Sequence, residues 1–201
     1  MQNAIDTINE FNRAVTEKME MAEKCSMYDL DWRDDVSGTA VSEGDRIAVG
    51  DMELHIIETP GHSSCSISAY DPQHKVLFPS DGCGIPYKGT IIPSGNSNFT
   101  TFQQSLEKLK NLEAGYVCAD HYGYVTGDEA RNFILSTIEA ARKHRTEMEE
   151  AYRRTGDIDD TAKKLTDSFY AENPEYFISR EILEGAYRQM VRHIAKELEG
   201  Q

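Results

Sequence analysis

Glu58-Thr59-Pro60-Gly61-His62-Ser63 decides the fold of this sequence. The residues before it, Met52, Leu54 and Ile56, alternate as a strand does, and Pro-Gly ends that strand in a turn with a histidine at its tip. Imidazole is the commonest donor to catalytic zinc, and a loop held by a strand fixes its direction at low entropic cost. A lone loop histidine is ordinarily only solvated, so the weight lies in what recurs downstream. The apolar run Val76–Phe78 passes into Pro79-Ser80-Asp81-Gly82, a carboxylate just past a strand end. Asp81 there either closes an Asx turn or bridges cations. Val117-Cys118-Ala119-Asp120-His121-Tyr122-Gly123 repeats the arrangement with a histidine. Three strands ending in His62, Asp81 and His121 form the pattern from which catalytic metal sites are assembled.

Around these motifs the chain alternates short strands with turns, then changes character. Ile47 and Val49, the Gly50-Asp51 turn, and Met52, Leu54 and Ile56 predict a hairpin over residues 45–58. Strands are expected over 65–70 and 75–78, joined by Asp71-Pro72-Gln73-His74, followed by a helix over 102–112 and a buried strand over 115–119. After Gly127 long helices are expected over 128–153, 159–171 and 179–198. The last carries Leu183, Ala186, Met190, Ile194 and Leu198 on one stripe, with Glu181 early and Lys196 late. Upstream, Ile5, Ile8, Phe11, Val15, Met19 and Ala22 mark one face of an amphipathic helix over residues 5–24, and 28–44 reads as a connecting loop.

The chain has 201 residues and a formal net charge of -14, so its average field repels nucleic acid and anionic membrane surfaces. No apolar run is long enough to span a membrane and no signal-peptide pattern opens the sequence, which leads to the expectation of a cytoplasmic protein. Cys25, Cys65, Cys83 and Cys118 form no CxxC pair, and free thiols are expected. His55, His144 and His193 are expected on strand or helix surfaces. Tyr170, Tyr176, Phe177 and Tyr187 are expected as core aromatics of a helical cap, with a substrate entrance as the sharper alternative.

The order TPGHS, apolar strand with SDG, apolar strand with DHYG resembles the second half of the metallo-β-lactamase superfamily, to which glyoxalase II and other thioesterases belong. The resemblance covers roughly residues 44–130. It implies that His62 binds a first metal, that Asp81 bridges two, and that His121 binds the second, with zinc, two per complete site, or else iron or manganese. It implies an α/β fold: 1–43 as helix and loop, 44–127 as the second half of an αββα sandwich, and 128–201 as a helical extension that covers the site or forms dimer contacts. The pattern departs from the family at Cys65 and Asp120, where relatives often have glycine, changes that bear on packing or on hydrogen bonds to the ligands. It also lacks the HxHxDH motif that supplies further ligands upstream of TPGHS; His55 is the one histidine before His62.

The expectation is therefore a fragment of a metal-dependent hydrolase acting on a small-molecule ester or thioester, weak in zinc and inactive alone. A missing upstream segment or a homodimer is the expected partner. The alternative is a metal-free, degenerate sandwich serving as a protein-interaction module; a flavodiiron-type oxidoreductase ranks third, since no flavodoxin domain follows the helices.

Overall fold

The computed structural model describes residues 38–121 and 123–200. The helix expected over residues 5–24, most of the loop expected over 28–44, and Cys25 lie outside the described residues. The chain divides into residues 1–40 and 41–201, and every element named below belongs to the second unit.

Strands β1 (Arg46–Val49) and β2 (Met52–Glu58) pair antiparallel, with Val49 opposite Met52. Two residues turn the chain between them. Gly50 takes the first central position at φ 66°, a region a side chain rarely adopts and one that suits the twist of a two-residue hairpin. β3 (Ile67–Asp71) and β4 (Val76–Phe78) follow, then a 3-10 turn over Ser80–Cys83. A separate small hairpin, β5 (Ile85–Tyr87) and β6 (Thr90–Ile92), precedes α1 (Phe99–Leu109). β7 (Tyr116–Cys118) and β8 (Tyr124–Thr126) complete a six-stranded sheet in the order β1-β2-β3-β4-β7-β8. Among the described strands only β4 and β7 are parallel, and α1 supplies the crossover that a parallel pair requires.

The β3–β4 turn is built on buried Asp71. Its carboxylate accepts the backbone N–H groups of Gln73 and His74 and lies 2.6 Å from His74 Nδ1. The hydrogen bond from His74 holds the Asp71 carboxyl below its ordinary 3.8, and the same bond raises the His74 imidazole above its ordinary 6.5. Asp71 thus adds stability above its ordinary value that is lost as pH falls through its lowered folded pKa. His74 adds stability below 6.5 that is lost as pH rises through its raised folded pKa. Urea midpoints should therefore peak in mildly acidic buffer, and His74→Gln should flatten the alkaline limb. A variant whose alkaline limb matches that of the parent would exclude the pair as its source.

Three helices follow the sheet: α2 (Gly127–Thr155), α3 (Ile158–Glu172) and α4 (Arg180–Glu199). Gly156 ends α2 in the left-handed conformation, and Asp157 and Ser179 cap α3 and α4 by accepting the N–H groups of Asp160 and Ile182. Leu77 and Val117 of the sheet, Phe102 and Leu106 of α1, Ile134 of α2 and Met190 of α4 all belong to one buried cluster. The helices after Gly127 share the sheet's core rather than standing off it. Partly buried Arg145 of α2 reinforces this, donating to Thr100 and Gln103 of α1 and to Glu197 of α4.

Strand register assigns the sheet's two faces different fates. Tyr70, Leu77, Val117 and Val125 lie on the helix-covered face, all buried or packed against the core. The alternate residues, including Ile47, Phe78, Tyr116 and Tyr124, face the other way and are 37%, 38%, 48% and 68% exposed. Ile56 shares that second face by register and is nonetheless buried, so the face is exposed at these positions and not along its whole length.

Two expectations require correction. His144 and His193 are not surface residues of their helices. His144 shares an α2 face with Ala141 and Met148, which carries its ring inward to 6.0 Å from Phe99 and 5.5 Å from Tyr187. His193 follows the buried stripe of Met190, Val191 and Ile194, and its Nε2 lies 3.0 Å from the Thr100 hydroxyl. His55 does lie on a strand surface, beside Glu53. Cys65, Cys83 and Cys118 are free thiols; burial pushes Cys83 up to about 12, which makes it unreactive. Among the described residues no helix is long and apolar enough to cross a membrane.

Candidate active site

The loop after β2 is held from three sides. Buried Thr59 lies with its hydroxyl 3.0 Å from that of Ser68 on β3, and the Ser68 hydroxyl donates to the Pro79 carbonyl beyond β4. Ser105 of α1 donates to the Pro60 carbonyl, and the Gly61 carbonyl accepts the N–H groups of Ser97 and Asn98 at the start of α1. The ends of β2, β3, β4 and α1 are thus tied into one platform, with His62 projecting from it.

His62 Nδ1 lies 2.9 Å from the Ser94 carbonyl, an acceptor, so Nδ1 carries a proton there and in the neutral ring Nε2 is the nitrogen with the lone pair. That Nε2 is 3.5 Å from Asp81 Oδ2. The other carboxylate oxygen, Oδ1, is 3.5 Å from His121 Nε2. Asp81 is itself fixed through its backbone, whose carbonyl accepts the Ser94 hydroxyl. Ser94 therefore holds His62 with one atom and Asp81 with another.

Burial alone would raise the Asp81 carboxyl. Hydrogen bonding with His121 and the charges of both imidazoles outweigh it, and the carboxyl is held below its ordinary value. The same pairing with Asp81 raises His121, against the opposing effect of its burial. The His121 ring rests against Phe177, with centroids 5.3 Å apart.

The loops bearing Asp81 and His121 are joined through Ser80, which adopts the left-handed conformation at φ 49° and donates to Asp120 at 2.7 Å. This bond gives Asp120 a role: it ties the β4 end to the β7 end beside both side chains.

Two imidazole nitrogens and a carboxylate suit zinc, iron or manganese in kind. In arrangement they fan out in pairs, His62 on one oxygen of Asp81 and His121 on the other, as suits a carboxylate between two cation positions. Among the described residues no group of three or more His, Cys, Asp or Glu side chains closes around a single point. The fit is that of part of a donor set.

Sequence reasoning missed Ser94, which acts partly through a backbone carbonyl that no side-chain pattern reveals. It also missed His144 as a neighbour of the site, whereas Phe177, expected as a core aromatic or an entrance residue, lies against His121. Tyr176 and Tyr187 line a cavity of about 110 Å³ with His62, Asp81, His121 and His144. Tyr170 lies elsewhere, bonded to the Ile178 carbonyl and beneath Arg180.

Among solved structures, the chain is similar to a metallo-beta-lactamase family protein from Thermus thermophilus, with TM-score 0.55 and 20% identity over 82% of this chain and 50% of that one. A beta-lactamase domain protein from Burkholderia ambifaria gives TM-score 0.54 and 12% identity over 80% of this chain and 45% of that one. At these identities the likeness is one of fold. In sequence, it is 32% identical over 87 residues to a hydroxyacylglutathione hydrolase of Legionella pneumophila (strain Lens), covering 35% of this chain and 34% of the relative. It is 37% identical over 73 residues to the acyl-coenzyme A thioesterase MBLAC2 of Gallus gallus, covering 36% of this chain and 25% of the relative. The chain thus spans about a third or less of the length of these relatives. The family model of the metallo-beta-lactamase superfamily matches residues 12–121, which takes in all three motif loops and more than half of the sequence. With helices on one face of the sheet and the three motif side chains meeting at its strand ends, the chain belongs to the metallo-beta-lactamase superfamily.

Proposed function

We propose that this chain carries part of a metal-dependent site that hydrolyses a thioester or ester of a small molecule, with His62, Asp81 and His121 as metal ligands. The observation carrying this reading is the Asp81 carboxylate set between two imidazole Nε2 atoms at 3.5 Å each. The hydrolase and thioesterase names of the relatives support the thioester class.

Zinc bound there, or iron or manganese, supplies Lewis acidity and lowers the pKa of bound water toward neutrality. The chain's own residues do the positioning. Ser94 fixes the His62 tautomer, Phe177 and Asp81 hold the His121 ring, and Ser80 with Asp120 locks the two loops together. In the overall reaction water divides across the acyl C–S bond, its oxygen going to the acyl carbon and a proton to the departing sulfur.

Three donors fall well short of what two metals require, and the remaining donors come from polypeptide bearing an HxHxDH motif, as a linked segment or a second chain. The chain alone should therefore retain little zinc after dialysis and hydrolyse no generic thioester. Adding that polypeptide should restore both. His62→Ala or His121→Ala should then cost at least about a hundredfold in zinc affinity, more than the 10–100-fold usual for an outer-shell partner. Tight stoichiometric zinc in the isolated chain would overturn the partial-site reading, and turnover indifferent to Asp81→Asn would overturn the ligand assignment. The competing interaction-module reading has the exposed apolar residues Ile47, Phe78, Tyr116 and Tyr124 in its favour and requires that no turnover appear when the HxHxDH polypeptide is added.

A further inference from the structure

The cavity of about 110 Å³ beside His62, Asp81 and His121 is polar where it meets those residues, Ser94, Asn96 and His144. Its remaining wall is apolar: Ile92 from the small hairpin, and Leu183, Ala186 and Met190 from α4, closed by the ring of Tyr187. Met190 and Tyr187 are 3% and 4% exposed, which makes them a fixed floor rather than a mobile rim. Outside it runs a groove of about 620 Å³ between α2 and α3, which shares Ile92, Pro93, His144 and Tyr187 with the cavity.

Size decides what each compartment takes. A dry apolar cavity of about 150 Å³ holds benzene, six carbons, so a space of 110 Å³ holds about four. No carrier thiol beyond a few atoms fits there together with an acyl group. An acyl group placed in the cavity has its carbonyl carbon at the polar end, by His62, Asp81 and His121, with its chain directed toward Met190.

We propose that this cavity is an acyl pocket that selects short, unbranched apolar acyl groups of about four carbons, with Met190 and Ala186 as the length-determining residues and the carrier lying outside it. The substrate assignment rests on the hydrolase reading above; the pocket itself can be tested without turnover.

The probes are primary amides of increasing length, because an uncharged amide mimics the acyl carbonyl without setting a carboxylate against Asp81. Binding to the full chain is followed by proton–carbon spectra of the Met190 and Leu183 methyl groups. Butanamide should shift both signals, and decanamide should bind at least about tenfold more weakly, as overfilling an apolar pocket entails. Ala186→Phe should lose at least about tenfold in butanamide binding by filling the cavity. Met190→Ala should do the reverse and admit octanamide about as well as butanamide. Should Ala186→Phe fail to fold, the Met190→Ala arm decides alone. Decanamide bound as well as butanamide, no methyl shift with any amide, or an unchanged length limit in Met190→Ala would each overturn the proposal. If the amides obey the limit while the site completed with its HxHxDH polypeptide hydrolyses no thioester, the pocket stands and the hydrolase reading falls.

Discussion

Gly61→Ala should cost the protein about 3 kcal/mol or more and displace His62 from Asp81. A Cβ at residue 61 would stand 2.4 Å from Phe102 Cα, 2.5 Å from its Cβ and 2.5 Å from its N, which are atoms of the α1 backbone or fixed to it. None can rotate away. Phe102 is completely buried, and the Gly61 carbonyl is already bound to the N–H groups of Ser97 and Asn98. Overpacking of this kind costs about 1–3 kcal/mol, and φ 138° is a conformation that adds a further cost of order 1–3 kcal/mol for a residue with a side chain. For a chain of this length each 3 kcal/mol corresponds to a fall in Tm of roughly 6–12 °C. Gly185→Ala is the matched control. It lies within α4 with open space around its Cβ, and should be neutral or stabilising by up to about 1 kcal/mol. Calorimetry of both variants, with the His62 and His121 imidazole resonances as a local reading, tests this. A Gly61→Ala protein melting with the parent would show that the β2 loop is free to leave α1, and that its rigidity does not set the site.

Much of this was readable from local chemistry. The Gly50-Asp51 turn with alternating apolar residues specifies β1 and β2, and the turn at Asp71 specifies the boundary of β3 and β4, because each is set by neighbours in sequence. The helix read over 102–112 begins three residues earlier, at Phe99, where Asn98 caps it by accepting the Thr101 N–H. The β5–β6 hairpin and β8 escaped notice, since strands of three residues, one containing Pro86, have no period to detect. The motif loops were legible for a different reason: each joins a strand to a chemically distinctive residue. That Ser94 fixes both His62 and Asp81, or that His144 turns inward, depends on packing between distant elements. The exposed residues Ile47, Phe78, Tyr116 and Tyr124 look like ordinary strand residues in the sequence, and only the register shows that they share one face.

A chain ending at Thr126 should not fold, although the helices beyond it read in sequence as an extension. Leu77, Val117, Phe99, Phe102, Leu106 and Leu109 are at most 1% exposed, and they share one cluster with Phe133, Ile134 and Ile138 of α2 and Met190 and Ile194 of α4. Removing those helices strips one side from every layer of that cluster. Losing a single buried Leu or Phe side chain costs about 2–5 kcal/mol, and a domain's whole stability is about 5–15 kcal/mol. The loss of five such residues from α2 and α4 alone therefore exceeds any reserve. The Arg145 bonds to Thr100 and Gln103 vanish with α2, which leaves α1 without these polar ties to the helices as well as without its apolar cover. Circular dichroism of the shortened chain should lack even the signal of α1, proton spectra should lose their dispersion, and denaturant should produce no cooperative transition. A sharp transition with dispersed resonances would show that the sheet and α1 form a unit of their own. In that event the helices could be treated as a cover for the site, and Met190 and Ala186 could be varied without regard to the core beneath them.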